Sequence, residues 1–288
     1  MATADLIKIL VPLTLIEMMF AIGLGVNVAD LITFAKNVRM ATKAAIANYL
    51  VVPSVAVGLL LAISPTDPTV AAGFLILAVC PGAPFGPSCT MLARGNVATA
   101  VGLMVLLAGT SAFAAPLLLH FLLPVVSRSQ PLTVDAGQIL RTLLVTQLVP
   151  LCLGLALRRW RPKLADRWLR PANVLNLVLN VSTLGVVLLA YYPLLANIRV
   201  RGYAGMVALL VASWIAGWLL GGPKPDDRRS LLLTTALRNV GVGMVLATVS
   251  FGGTAAVTAV VVYGMVEIFG TLILALVLGR MPLSHPDR

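Results

Sequence analysis

The sequence predicts an all-α polytopic membrane protein with nine transmembrane helices and an inverted repeat in which one helix of each half is discontinuous. Three observations carry this expectation. Hydrophobic residues make up 59% of the 288 and charged residues 11%, with a mean hydropathy of +1.00, far from the roughly half-apolar, quarter-charged mix of soluble domains. Nine runs reach the length of about 20 apolar residues needed to cross ~30 Å of hydrocarbon. Two of those runs are interrupted, and the interruptions lie 158 residues apart.

The first run, 7–26, holds Glu17 at its middle. Asp5 offsets Lys8 and no small-residue cleavage site follows, so it reads as a span and not a signal peptide. The second, 43–63, carries Asn48 near its start. The third, 69–93, is broken by Pro81, Pro84 and Pro87 with Gly82 and Gly86. Three prolines remove three backbone donors and their rings clash with the preceding turns, so no continuous helix passes through them. The fourth, 97–124, has His120 near its outer end, where an interfacial histidine is expected, and the fifth, 137–157, is apolar. The sixth, 171–195, carries Asn173, Asn176 and Asn180 at helical spacing, with Ser182 and Thr183 behind them. Such a stripe either lines a hydrated cavity or joins helices. The seventh, 203–221, is followed by the eighth, 230–250, interrupted at LRNVGVG, where Arg238 and Asn239 precede Gly241 and Gly243. The ninth, 255–279, holds Glu267 halfway along.

The formal charge is +11, but the basic residues crowd the short loops, a pattern that sets topology and gives no reason to expect nucleic acid. One side collects Lys36, Arg39, Lys43, Arg94, Arg158, Arg159, Arg161, Lys163, Arg167, Arg170, Lys224, Arg228, Arg229, Arg280 and Arg288; the other has Lys8, Arg128, Arg141, Arg199 and Arg201. The first set is then cytoplasmic in a plasma (inner) membrane, the N-terminus is outside and the C-terminus inside. RRWRPKLADRWLR, 158–170, becomes the main cytoplasmic loop and the hinge between halves. Cys80, Cys89 and Cys152 all lie in apolar segments and read as small buried hydrophobes, with neither disulfide nor metal-ligand spacing.

Backbone groups freed at a break must be buried in protein or line a polar cavity, because lipid offers them no partner. Moving 158 residues along the chain lays Cys80 on Arg238, PGAPFGP on NVGVGMV and Gly95 on Gly253. Spans two to four then repeat as spans seven to nine with opposite topology. One interrupted helix in each inverted half points to a secondary transporter with its site at the bilayer midplane.

At these tracts the chain resembles the bile acid:sodium symporter family. Cys80, Pro81 and Gly82 are followed at the family's spacing by Ala93, Arg94, Gly95 and Asn96, and the eighth span matches a glutamine–asparagine tract through Asn239 and Gly241. The resemblance implies a panel of spans one, five and six (7–26, 137–157, 171–195) beside a core of the other six (43–63, 69–93, 97–124, 203–221, 230–250, 255–279). In that arrangement the broken helices cross and the core moves, elevator-like, to give alternating access. This chain also departs from the family's sodium ligands. Gly86 and Pro87 stand where the family has a Ser-Asn pair, Thr234 where it has an acid, Arg238 where it has the glutamine, and Asn48 for a glutamine of the second span. A cation ~5 Å from Arg238 at an effective dielectric of ~20 would be repelled by about 3 kcal/mol, roughly two orders of magnitude in affinity. Sodium coupling is therefore not expected, and Arg238 stands where the ion would sit as a charge that cannot be shed.

The residues expected to carry transport follow from this. Arg238 needs a buried partner, for which Glu17 and Glu267 are available; with Thr234 they form the coupling set. An anion that displaced a glutamate from the arginine would free a carboxylate to take up a proton, a coupling route without sodium. The half-helices that start near Gly86 to Ser88 and near Gly241 to Gly243 offer free N–H groups to an anion, with Pro87, Asn239, Thr90, Asn48, Asn176 and Asn180 as further binding candidates. The substrate expected is a small organic anion, the only other partner is the bilayer, and the protein is read as a monomer without cofactor or metal. Three other readings compete. One is metalloid efflux, which needs an accessible, reactive Cys89 in PSCTM (87–91). A passive channel is another. The third, an intramembrane enzyme, lacks paired aspartates, a Ser/His pair or a metal cluster in the spans.

Overall fold

The computed structural model describes residues 3–63, 67–127, 132–195 and 200–281. Arg128, Arg199 and Arg288 of the topology argument lie outside the described residues. Within them the chain is helical, without a strand. Seven helical stretches are long and apolar enough to cross a membrane. They are α1 (Thr3–Gly25); α3 (Val38–Ala45) continued through a π turn into α4 (Val52–Ile63); α7 (Val97–Val126); α8 (Ala136–Leu143) continued likewise into α9 (Val149–Trp160); α10 (Pro162–Leu195); α11 (Val200–Leu220); and α14 (Ala255–Arg280). A short amphipathic α2 (Val28–Ala35) lies between α1 and α3.

The other two expected spans are each broken in two. Residues 69–93 form α5 (Pro68–Ala78) and α6 (Gly86–Leu92), and residues 230–250 form α12 (Pro225–Ala236) and α13 (Val240–Phe251). Both first halves start with proline at the first helical position, where its missing N–H costs nothing. Asp67 caps α5 by accepting from Thr69 N–H. The 158-residue repeat continues beyond the breaks. Asn96 caps α7 and its counterpart Thr254 caps α14, so both helices begin at the same repeat position, Val97 and Ala255.

The segment 158–170, expected as a loop, is different in the structure. Apart from a kink at Arg161 it is helical, and α10 runs unbroken from Pro162 through the asparagine stripe. Lys, Leu, Ala, Arg and Trp offer no reason to stop, and Pro162 starts a helix well. Arg158 closes the corner, donating to the Leu24 carbonyl and pairing with Asp166 at 2.6 Å. The two π turns, Ile46–Val51 and Leu144–Leu148, precede Pro53 and Pro150. A proline inside a helix blocks the carbonyl four residues back, and a wider turn absorbs the mismatch.

The core runs along α1, α5, α7, α13 and α14. α1 packs between α9, α10 and α13; α5 lies on α14, and α12 on α11 and α6. The approach of α1 to α9 is backbone on backbone: a Cβ at Gly23 would sit 2.8 Å from the Gly154 Cα, the close contact that small residues give helices in lipid. Of the seven long stretches α10 is the least covered, with 11% of its apolar stretch buried.

Candidate functional site

The two breaks meet. Pro81 and Arg238 face each other as an isolated antiparallel bridge, and Asn239 N–H donates to the Cys80 carbonyl at 2.7 Å. Asn239 holds the crossing from its side chain too, donating through Nδ2 to Gly82 O at 3.3 Å while Oδ1 accepts from Val242 N–H at 3.1 Å. Gly82 has φ 89°, which only glycine adopts freely, and it lies against the backbone of Ala108 on α7. Each break thus supplies partners for polar groups the other leaves open, as a bilayer interior demands.

Arg238 is 1% exposed, and its partners are not those expected. Glu267, fully buried on α14, accepts from the Arg238 backbone N–H through Oε1 at 2.8 Å; Oε2 has no partner. The guanidinium instead donates to two helix-end carbonyls, Nη1 to Ala78 O at 3.4 Å and Nη2 to Thr235 O, while Nε is unpartnered. Among the described residues no carboxylate lies within ion-pair reach of it, and the pair recorded is Arg158–Asp166. Ala78 ends α5 and Thr235 is one residue from the end of α12. Helix C-termini carry unsatisfied carbonyls and negative partial charge. The carboxylate partner expected from sequence is replaced by the ends of two half-helices.

Asn48 completes that end. Fully buried on the first π turn, it donates through Nδ2 to Ala44 O at 2.9 Å and to Thr235 Oγ1 at 3.2 Å. The Thr234 hydroxyl is used within its own helix, donating to Ser230 O, and its methyl packs 3.1 Å from where a Gly86 Cβ would be. Thr90 likewise donates to Gly86 O in α6. Ser88 is exposed and Pro87 half-buried.

On the other side of the crossing is a cavity of about 410 Å³. Its walls are Ala83–Phe85 of the first break, Leu237–Gly241 at the second, Met18 of α1, Ile268 of α14, and Asn176 and Asn180 of α10. Four of the expected site residues, Arg238, Asn239, Asn176 and Asn180, therefore share one chamber. Gly86, Pro87, Ser88, Thr90, Asn48, Thr234, Glu267 and Glu17 do not line it. At the start of α13 the Asn239 side chain takes the Val242 amide and Gly243 N–H makes the first intrahelical bond to Asn239 O. The amides of Val240 and Gly241 are the two left over, and both residues line the chamber.

The asparagine stripe divides. Asn180 Nδ2 donates to Asn176 Oδ1 at 2.8 Å at the chamber wall, Thr183 bonds Thr14 of α1 at 2.7 Å, and Asn173 is exposed. His120 is exposed, as expected of an interfacial residue. Cys89 is fully buried among Ala93, Leu232 and Leu233, so the accessible thiol that metalloid efflux needs is absent from this arrangement. Cys80 is buried and Cys152 exposed. Gln147 was not singled out from sequence. It is fully buried on the second π turn and donates to Ala108 O and Ser111 Oγ across α7. Pro150, three residues on, was the available signal.

The chain matches the model of the sodium bile acid symporter family over residues 12–203. It belongs to that family. As a family member it is a multi-pass membrane transporter. It is 23% identical over 253 residues to an uncharacterized sodium-dependent transporter of Bacillus subtilis (strain 168), covering 84% of this chain and 75% of that protein. It is 29% identical over 195 residues to a probable sodium/metabolite cotransporter, chloroplastic, of Arabidopsis thaliana, covering 64% of this chain and 46% of that one.

Proposed function

We propose that this symporter-family protein is a secondary transporter of a small organic anion that works by alternating access without a bound sodium ion. One observation carries the reading: the Arg238 guanidinium lies between the carbonyl ends of α5 and α12. Converging helix-end carbonyls form a cation site, and here the cation belongs to the chain. The relatives' names carry sodium, so this chain parts from them at that point.

The anion sits in the 410 Å³ chamber, the size of a small-molecule site. The free amides of Val240 and Gly241 belong to its lining, Asn176 and Asn180 offer polar contacts, and Arg238 adds a permanent charge to the same wall. The two broken segments complete nine crossings. α1, α8–α9 and α10 form the panel, and the remainder form a core that carries the crossing past it. The basic ends of the core gather at one end of the molecule, where Arg229 bonds the carbonyls of Ala93 and Met281, in keeping with a cytoplasmic C-terminus in the inner membrane. The unit of transport is one chain.

Uptake of labelled organic anions into proteoliposomes, under separate sodium and proton gradients, tests this. Saturable exchange indifferent to sodium is expected. Accumulation that requires a sodium gradient would overturn the sodium-free reading, and flux that neither saturates nor exchanges would replace a carrier with a channel.

A further inference from the structure

Glu17 is the buried charge that the crossing does not use. It lies in the middle of α1, 9% exposed, and neither carboxylate oxygen has a hydrogen-bond partner. Its chain neighbour Met18 lines the chamber, and the Asn176 side chain, another lining residue, faces it from α10. Asn180 already donates to Asn176 Oδ1, so what Asn176 has left to offer Glu17 is its N–H group. A buried carboxylate with neither oxygen partnered suits a group that changes between ionised and neutral.

Among the described residues no cation pairs with Glu17. α13 has no charged residue. Those of α8–α9 are Arg141, Arg158 and Arg159, and those of α10 are Lys163, Asp166, Arg167 and Arg170, all towards helix ends. On α1 itself Asp5 and Lys8 lie two turns or more away, and Arg238, which does line the chamber, turns its guanidinium to the carbonyls of Ala78 and Thr235 while Glu267 meets its backbone. An isolated ionised carboxylate is expensive to bury.

Resting on the anion-carrier reading above, we propose that Glu17 is the proton-carrying group, taking up one proton from chamber water as an anion enters and returning it as the anion leaves. The step forms one O–H bond on the carboxylate and breaks one O–H bond of a hydronium ion in the chamber water, which is left as a water molecule; no other bond changes. An ionised Glu17 repels an anion in the chamber. For charges ~8 Å apart at an effective dielectric of ~20, neutralising it tightens anion binding on the order of thirtyfold. Glu267 is the poorer candidate, because its Oε1 is committed to the backbone of the second break, whereas both oxygens of Glu17 are open.

The test is an infrared titration of the purified protein in liposomes with no anion added. On acidification the wild type and Glu267→Gln should gain a protonated-carboxyl band that Glu17→Gln lacks; wild-type and Glu17→Gln spectra that superimpose would overturn the proposal. Should Glu17→Gln fail to reconstitute, Glu17→Asp takes its place: its band must move, and an unmoved band overturns the assignment. Transport gives the second measure, with labelled taurocholate, whose sulfonate stays ionised throughout. Glu17→Gln should keep exchange while accumulation driven by a pH gradient falls at least ~tenfold, and undiminished accumulation would count against Glu17. A wild type that does not exchange taurocholate bears on the anion-carrier reading, while the infrared titration still decides Glu17.

Discussion

Replacing Arg238 by glutamine takes a cation from between two carbonyl-bearing helix ends and leaves a vacancy of the sign and size a small cation fills. Unsatisfied buried carbonyls cost about 1–3 kcal/mol each, offset by the charge no longer buried, so Arg238→Gln should lower stability by about 2–4 kcal/mol. Sodium should restore part of that loss, because an ion that binds only the folded state raises its stability. Melting temperatures in sodium chloride against choline chloride check this: a sodium-dependent rise is expected in Arg238→Gln and none in the wild type. A rise in the wild type would mean that the guanidinium does not hold the ion's place. At this scale the sequence showed that Arg238 must be buried near a break. It could not show what the side chain bonds, because the carbonyls of Ala78 and Thr235 reach it only once two segments 158 residues apart have crossed. The same holds for Glu267, which bonds the arginine's backbone N–H.

Among the elements, proline and glycine punctuation was the most legible feature. Pro81, Pro84 and Pro87 break one span and LRNVGVG the other, and the repeat offset relates Asn96 to Thr254 as helix caps. Less legible were features that need no unusual residue. Positions 158–170 read as a loop from their charge, yet continue as helix because charge alone stops nothing. Pro53 and Pro150 mark where a turn must give, but not that the widened turn aims Asn48 and Gln147 inward. The tightest requirement on an element falls at Gly82. A side chain there would be strained by φ 89° and would press a Cβ onto the Ala108 backbone of α7. Gly82→Ala should therefore cost about 2–4 kcal/mol and spread the crossing, since Gly82 O also accepts from Asn239. Thermal denaturation measures the loss, and a neutral substitution would mean that the break can relax without α7.

For the whole molecule, the panel-and-core reading says which contacts break during a cycle and which persist. The start of α12 is fastened to the α6–α7 corner: Asp227 accepts from Asn96 Nδ2 at 3.0 Å and from Thr99 Oγ1 at 2.9 Å, and Ser230 donates to Asn96 O. In that reading both sides of this fastening belong to the core. Met18 and Gly241 lie across the dividing line, a Cβ at Gly241 falling 3.0 Å from Met18 Cε. Cysteine pairs at these two places should therefore behave oppositely when closed with a short bifunctional thiol reagent, with Cys152 replaced because it is exposed. Closing Met18→Cys with Gly241→Cys should stop exchange, and a reductant-cleavable reagent should return it. Closing Asn96→Cys with Asp227→Cys should leave most of the exchange intact, because core elements that travel together tolerate a tie between them. Equal inhibition by both ties would place the moving boundary elsewhere. Exchange that survived the Met18–Gly241 tie would mean that α1 and α13 travel together and that the chamber opens without sliding.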